Sequence, residues 1–349
     1  MTLKGYYLRI QLIQVYNMFN NKLYKEKYYN LDLSNFSFLI TGGAGFIGSN
    51  IVEYLLRHNA GHIRILDNLS NGYFENIRDF LEHNNVEFVQ GDIRDLETCK
   101  LAVKGMHYIS HQAALGSVPR SIHNPITTND VNISGFLNML VAAKEENSIK
   151  RMVYAASSST YGDHKSLPKV EDRIGKPLSP YAVTKLVNEL YADVFARAYN
   201  LKTIGLRYFN VFGPKQNPNN PYAAVIPLFV NAAKSGTPPK IFGDGEQTRD
   251  FTFVENVVQA NIRALLTSNE EAINQVYNIA FGERISLNKL WQEICVLKGI
   301  TIDPVYLPNR PGDILDSLAD ISKAKKHLGY DPDFSLKAGL AILVEETEG

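Results

Sequence analysis

A chain of 349 residues, 45% hydrophobic and 21% charged, is long enough to bury a large core and excludes a disordered protein. Lys plus Arg and Asp plus Glu both number 36, so no net field draws the chain to nucleic acid or to an anionic membrane. Two distant cysteines, Cys99 and Cys295, argue against a disulfide framework or a metal site, and no apolar run approaches the roughly eighteen residues of a membrane span.

No signal-peptide cleavage pattern follows the N-terminus, so a cytoplasmic location is expected. Residues 1–35, rich in Tyr, Asn and Lys, read as an N-terminal extension without chemistry, with Met18 a second candidate start. The fold opens at residues 37–41. An apolar run, then Gly42, Gly45 and Gly48 at every third position, then apolar residues at helical spacing spell strand, tight turn and helix. Glycine suits that turn because it tolerates positive φ and lets backbone approach a pyrophosphate with no Cβ between them. The helix N-terminus then offers free N–H groups to the anion. A second run, residues 62–67, ends in Asp67, about twenty residues after the last glycine, where a dinucleotide-binding unit places the acid that accepts ribose hydroxyls. Such an acid repels a 2′-phosphate and favours NAD over NADP; the alternative reading of Asp67 is a strand-end helix cap.

Further strands are expected at residues 86–90, 108–111, 151–156 and 202–208, with amphipathic helices between them. That alternation implies an α/β fold, a Rossmann doubly wound parallel sheet, over residues 36–208. Ligands of such sheets bind at the carboxyl ends of the strands. There the second strand is followed by Asp67, Asn68, Ser70, Asn71 and Gly72, and the third by Asp92 and Ile93. Gln112, Ala113, Ala114, Gly116 and Ser117 follow the fourth, and Ser157, Ser158 and Ser159 the fifth. Beyond Asn210 the prolines 214, 218, 221 and 227 mark a boundary, and residues 209–349 read as a smaller α+β domain with helices at 287–297 and 322–328. A cleft between the two halves is the expected small-molecule site.

The chemistry centres on Ser179-Pro180-Tyr181 and Lys185. Ser179 is a good N-cap and Pro180 suits the first turn, so Tyr181 and Lys185 fall one turn apart on one helix face. Poising a phenol of pKa about 10 for work near pH 7 takes about 4 kcal/mol, which a nearby cation and a nicotinamide charge can supply. Tyr161 and Lys165 share the spacing, but Gly162 and Asp163 between them read as a turn. Ser157, or failing it Ser158, can hydrogen-bond both a substrate oxygen and the phenol; the serines can also simply satisfy strand-end backbone groups.

Taken together, the Thr41 to Gly48 turn, the serine-rich strand end running into Tyr161-Gly162-Asp163, and the Tyr181/Lys185 pair resemble the extended short-chain dehydrogenase/reductase family. Within it the chain is similar to the UDP-hexose 4-epimerases, and most closely to the bacterial UDP-N-acetylglucosamine 4-epimerases of O-antigen synthesis, through residues 113–121, 206–213 and 243–251. The likeness runs from residue 38 to the C-terminus; the N-terminal extension is longer than the family usually has. The resemblance implies bound NAD, contacted also by Phe46, Ile47, Tyr208, Phe209, Val211, Tyr181 and Lys185. It implies a UDP-sugar held by Gly116, Ser117, Arg120, the three serines, Asn210, Ala224, Val225, Phe242, Arg249, Arg310, Asp313 and Ser317. Arg249 and Arg310 would clamp the diphosphate, Asn210 would add a neutral donor, and Asp313 would take the uridine ribose hydroxyls.

Ser317 would leave room for an N-acetyl group where galactose-only epimerases tend to carry tyrosine. Dehydratases of nucleotide sugars place an Asp-Glu pair where Ser158 and Ser159 stand here. The expected activity is therefore NAD-dependent interconversion of UDP-GlcNAc and UDP-GalNAc, with UDP-Glc and UDP-Gal as further substrates, through a 4-keto intermediate. A homodimer is expected, with no metal. A UDP-glucuronate epimerase or decarboxylase, a 4,6-dehydratase, and a non-catalytic NAD sensor are the alternatives.

Overall fold

The computed structural model describes residues 16–217, 224–308 and 316–345. Every residue of Ser37–Thr41 (β1) is buried, as expected of a strand covered on both faces. Its side chains alternate between two cores: Phe38 and Ile40 join Ile51 and Val257 on one face, and Leu39 joins Met139 and Phe195 on the other. The remaining strands of its sheet include His62–Asp67 (β2), Val86–Gln90 (β3), Tyr108–His111 (β4), Arg151–Ser157 (β5) and Thr203–Tyr208 (β6). The seven-stranded order is Gln275–Ile279, β6, β5, β4, β1, β2, β3, and every pairing is parallel. This is the α/β Rossmann-like sheet expected from the alternation of strands and helices. The chain runs outward through β2 and β3, then crosses back to β4, so the direction of winding reverses between β1 and β4. That switch point opens a crevice at the carboxyl ends of those two strands.

One strand from beyond the expected boundary at residue 208 joins the sheet. Gln275–Ile279 pairs with β6, Gln275 opposite Ile204, and the helix Val254–Leu266 packs against the same sheet. Residues 254–279 thus return from the region assigned to the second domain. Their composition hid this: Asn256 and Gln259 look like solvent-facing positions but are buried, donating to Phe334 O (2.8 Å) and Asp331 O (2.9 Å). Outside the sheet, three short two-stranded ribbons among the described residues join Val211–Phe212 with Thr252–Phe253, Thr248–Arg249 with Ile285–Ser286, and Lys240–Phe242 with Val305–Leu307.

The described part of the N-terminal extension is integral to the core. After a helical turn at 16–20, Leu23, Tyr24, Tyr28 and Leu33 are all buried. Tyr28 stacks on Tyr54 with ring centroids 5.4 Å apart, and its hydroxyl donates to Glu255 Oε1 at 2.8 Å. Glu255 is fully buried, and that burial pushes its carboxyl up to about 8. The sign follows directly: the folded state keeps a proton that the unfolded state gives up near pH 4.3, so stability is full below that range and declines toward about pH 8. Asp250, raised to about 7 by burial, acts in the same direction. Glu255→Gln should therefore flatten the fall in Tm between pH 5 and 8; an unchanged slope would assign that fall elsewhere.

Candidate active site

A cavity of about 620 Å³ lies over the carboxyl ends of the sheet. At its floor Gly42 adopts φ 66°, and a Cβ there would sit 2.7 Å from the Ala113 amide nitrogen. A Cβ on Gly48 would lie 2.2 Å from Gly42 O, so the turn and the helix Phe46–Arg57 (the cradle helix) meet only because both residues lack one. Gly45 caps that helix with no side-chain hydrogen bond, which leaves its first amides to an anion. Asp67 lines the cavity and also ties the turn, accepting from Ala44 N (3.0 Å) and Leu69 N (2.8 Å). Asn68 donates to Asp92 at 2.9 Å, and Arg94 beside it holds the Asp92 carboxyl down at about 2. Phe46, Ile47, Ser70, Asn71, Gly72, Ile93, Gln112, Ala114, Tyr208 and Val211 also face this space.

Ser179 Oγ accepts from Ala182 N at 3.1 Å and Pro180 opens the helix Pro180–Tyr199 (the tyrosine helix), which brings Tyr181 and Lys185 together to the cavity wall. Lys185 is 3% exposed and donates from Nζ to Ala155 O at 2.8 Å. Burial lowers its pKa to about 8, and the carboxylate of Glu189, one turn on, opposes the drop. The Tyr181 phenol is raised above its ordinary value by burial, while its hydrogen bond to Ser157 works the other way. This differs from the sequence expectation, in which Lys185 acidifies the phenol: the ammonium is engaged by a backbone carbonyl, and desolvation dominates at the oxygen. Ser157 also receives the Ser159 amide (3.1 Å) and hydroxyl (2.9 Å). Ser158 lines the cavity with Ser157, whereas Ser159 stands behind them.

Gly116, Ser117, Arg120, Asn210 and Ala224 also line the cavity. Phe209 does not reach the cavity. One residue past Tyr208 its side chain points the opposite way, 1% exposed against Tyr161, Ala280 and Ala319. Val225, Phe242, Arg249 and Ser317 also lie outside the cavity wall. Arg249 and Ser317 are nonetheless neighbours, since both the Arg249 guanidinium (2.9 Å) and the Ser317 amide (3.2 Å) donate to Thr248 O. Arg310 and Asp313 fall outside the described residues. Tyr161, the second tyrosine with a lysine four residues on, is buried with its hydroxyl on Asn278 Oδ1 (2.6 Å), and Gly162 at φ 53° turns the chain before Lys165.

Two features escaped the sequence reading. Asn132, in the π-helical turn Asp130–Ser134, accepts from Leu115 N (2.8 Å) and donates to Leu115 O (3.1 Å) and Thr184 Oγ1 (3.1 Å). It thereby locks the cavity loop to the tyrosine helix; a π turn has no spacing signature to betray it. Tyr73, Lys215, Gln216 and Asn217 also line the cavity, and the Gly213-Pro214 turn just past β6 was the available signal. Among the described residues no cluster of three or more His, Cys, Asp or Glu could hold a metal, and no helix is long and apolar enough to cross a membrane.

Residues 38–280 match the NAD dependent epimerase/dehydratase family. The UDP-glucose 4-epimerase of Mycolicibacterium smegmatis is 36% identical over 309 residues, 88% of this chain and 97% of that one. Among solved structures, the UDP-N-acetylglucosamine 4-epimerase of Methanobrevibacter ruminantium, in complex with UDP-N-acetylmuramic acid, is 39% identical with a TM-score of 0.84, over 90% of this chain and 98% of that one. The Thermus thermophilus UDP-glucose 4-epimerase, in complex with NAD, is 32% identical with a TM-score of 0.80, over 90% and 99% of the two chains. Likeness that runs through almost the whole of each relative, and through the strands and turns that build the cavity, establishes that the chain belongs to the NAD dependent epimerase/dehydratase family, with UDP-sugar 4-epimerases among its relatives.

Proposed function

We propose that the protein is an NAD-dependent 4-epimerase that interconverts UDP-GlcNAc and UDP-GalNAc, with UDP-Glc and UDP-Gal as further substrates. The reading rests above all on Tyr181, hydrogen-bonded to Ser157 and one turn from Lys185, at the wall of a cavity floored by a glycine cradle. The cradle fits a dinucleotide: Gly42 and Gly48 leave no room for side chains, and the helix amides above them face the cavity without a capping side chain. NAD, when bound, supplies an acceptor that takes a hydride from C4 of the sugar and later returns it. Gly42, Gly45 and Gly48 would hold its pyrophosphate and Asp67 its adenosine ribose.

The protein's own part is proton management and orientation. Tyr181 takes the proton of the 4-hydroxyl as the 4-keto sugar forms and gives it back when the opposite face is reduced. Ser157 bridges phenol and substrate oxygen, and its hydrogen bond, together with the charge a bound nicotinamide would bring, offsets the burial that otherwise keeps the phenol protonated, while Lys185 stays tied to Ala155 O. Arg249 and Asn210, with Arg310 and Asp313, hold the UDP while the sugar turns over. Ser158 and Ser159 supply no acid for eliminating water, which disfavours a dehydratase. Incubating purified protein with UDP-GlcNAc and no added cofactor should give UDP-GalNAc by NMR. A 4-keto-6-deoxy product would make it a dehydratase, and no product at all would leave the NAD-sensor alternative.

Ser317, beside Thr248, is a small residue at the position where the family resemblance implies room for an N-acetyl group. Ser317→Tyr should cut kcat/KM for UDP-GlcNAc at least about tenfold more than for UDP-Glc, the scale of a pocket misfit of 1–3 kcal/mol. Equal losses on the two sugars would count against an N-acetyl pocket. We also propose a homodimer. Val183, Leu190 and Val194 form an exposed apolar stripe on the tyrosine helix, and Ile126, on the helix Pro125–Asn129 packed against it, is 74% exposed. Sedimentation should give twice the chain mass and Leu190→Asp a monomer; a monomeric parent removes the idea.

A further inference from the structure

Residues 16–35 precede the span matched by the family, yet they carry buried side chains that reach the cavity's frame. Tyr24 is 2% exposed, and its hydroxyl donates to Oδ1 of Asn50, a fully buried residue in the cradle helix. The Asn50 amide nitrogen donates to two carbonyls, Phe46 O at 2.6 Å in the first helical turn and Pro214 O at 3.2 Å. Two carbonyls on one side require the NH2 there, so Oδ1 must face a donor, and Tyr24 is that donor. Pro214 belongs to the segment 213–217, which runs along the rim of the cavity. Lys215 Nζ pairs with Glu53 Oε2 of the cradle helix at 2.7 Å, and Asn217 donates to the Tyr73 hydroxyl across the opening. Lys215, Gln216, Asn217 and Tyr73 all line the cavity.

We propose that Tyr24 and Asn50 are positioning residues of the cavity: the N-terminal segment fixes the amide that straps residues 213–217 to the cradle helix, and the strap retains the bound dinucleotide. The ligand's identity rests on the function proposed above; the strap does not. Neither residue touches the reacting atoms, so loss of the tie should show in retention and local opening rather than in the chemical step.

The test uses the full-length chain with Tyr24→Phe, Asn50→Ala and, as a comparison, Tyr28→Phe, which removes a hydroxyl of the same segment that bonds Glu255 instead. Hydrogen exchange of amides in 211–217 should quicken about fivefold in Tyr24→Phe, the weight of one hydrogen bond, and more in Asn50→Ala. Tyr28→Phe should leave exchange there as in the parent. NAD release on dilution should quicken by a similar factor with kcat at saturating NAD unchanged. Unaltered exchange in Tyr24→Phe overturns the proposal, as does equal acceleration in Tyr28→Phe, which would mean general loosening. A parent that binds no NAD sinks the functional reading instead, and the exchange comparison still decides the strap.

Discussion

Tyr181→Phe protein should interconvert the UDP-sugars about 10³-fold more slowly than the parent, in the range for removing a positioned proton-transfer group. That corresponds to about 4 kcal/mol of lost transition-state stabilisation. The substitution deletes one oxygen and keeps the ring, so NAD content and Tm should stay near the parent's. The large effect is expected because no other described group is placed to act for the phenol. Ser157 lies beside it but is a poor base, and Lys185 is engaged by Ala155 O and retains its proton below about pH 8. The check is an NMR rate at saturating substrate alongside the absorbance of NAD released on denaturation. A variant as fast as the parent would remove Tyr181 from the chemistry.

Gly48→Ala should abolish NAD retention. The added Cβ would sit 2.2 Å from Gly42 O, 2.8 Å from Gly42 C and 2.8 Å from the Gly43 Cα, all of them backbone atoms with no rotamer to yield. The helix must therefore back away from the turn, and the amides aimed at a pyrophosphate move with it. A misplacement of about 1 Å is enough to cost on the order of 10²-fold where geometry carries the binding. Titration of the stripped protein with NAD should show that loss, with far-UV circular dichroism unchanged. Parent-like affinity would mean the dinucleotide lies elsewhere.

How much of this was readable in advance follows the physics of each element. Strands β1 to β6 were placed to within a residue because each is a short, mainly apolar run bounded by turn and helix signals, fully buried in β1 and β4 and half-buried at the edge strand β3. Ser179-Pro180 announced the tyrosine helix because capping is local chemistry. What depended on a distant partner was hidden. Gln275–Ile279 is strand only because β6 offers it an edge, and its Gln, Tyr and Asn gave no run to notice. Asn132 matters through carbonyls and hydroxyls that other segments bring to it. The side chain of Phe209 packs away from the cavity because one step along a strand end reverses its direction. Tyr24 and Tyr28 looked like ornaments of an extension until the cradle helix and Glu255 stood beside them.

The late arrival of Gln275–Ile279 bears on how the protein is made. Until the ribosome has released that stretch, β6 presents a row of unpaired N–H and C=O groups, a template for any other extended chain nearby. Cutting the gene at residue 208 would make that transient condition permanent, so a shortened product is prone to clump however well its glycine turn is formed. Nascent chains of this protein remain vulnerable along one margin until synthesis is most of the way through, the interval in which a chaperone has most to offer.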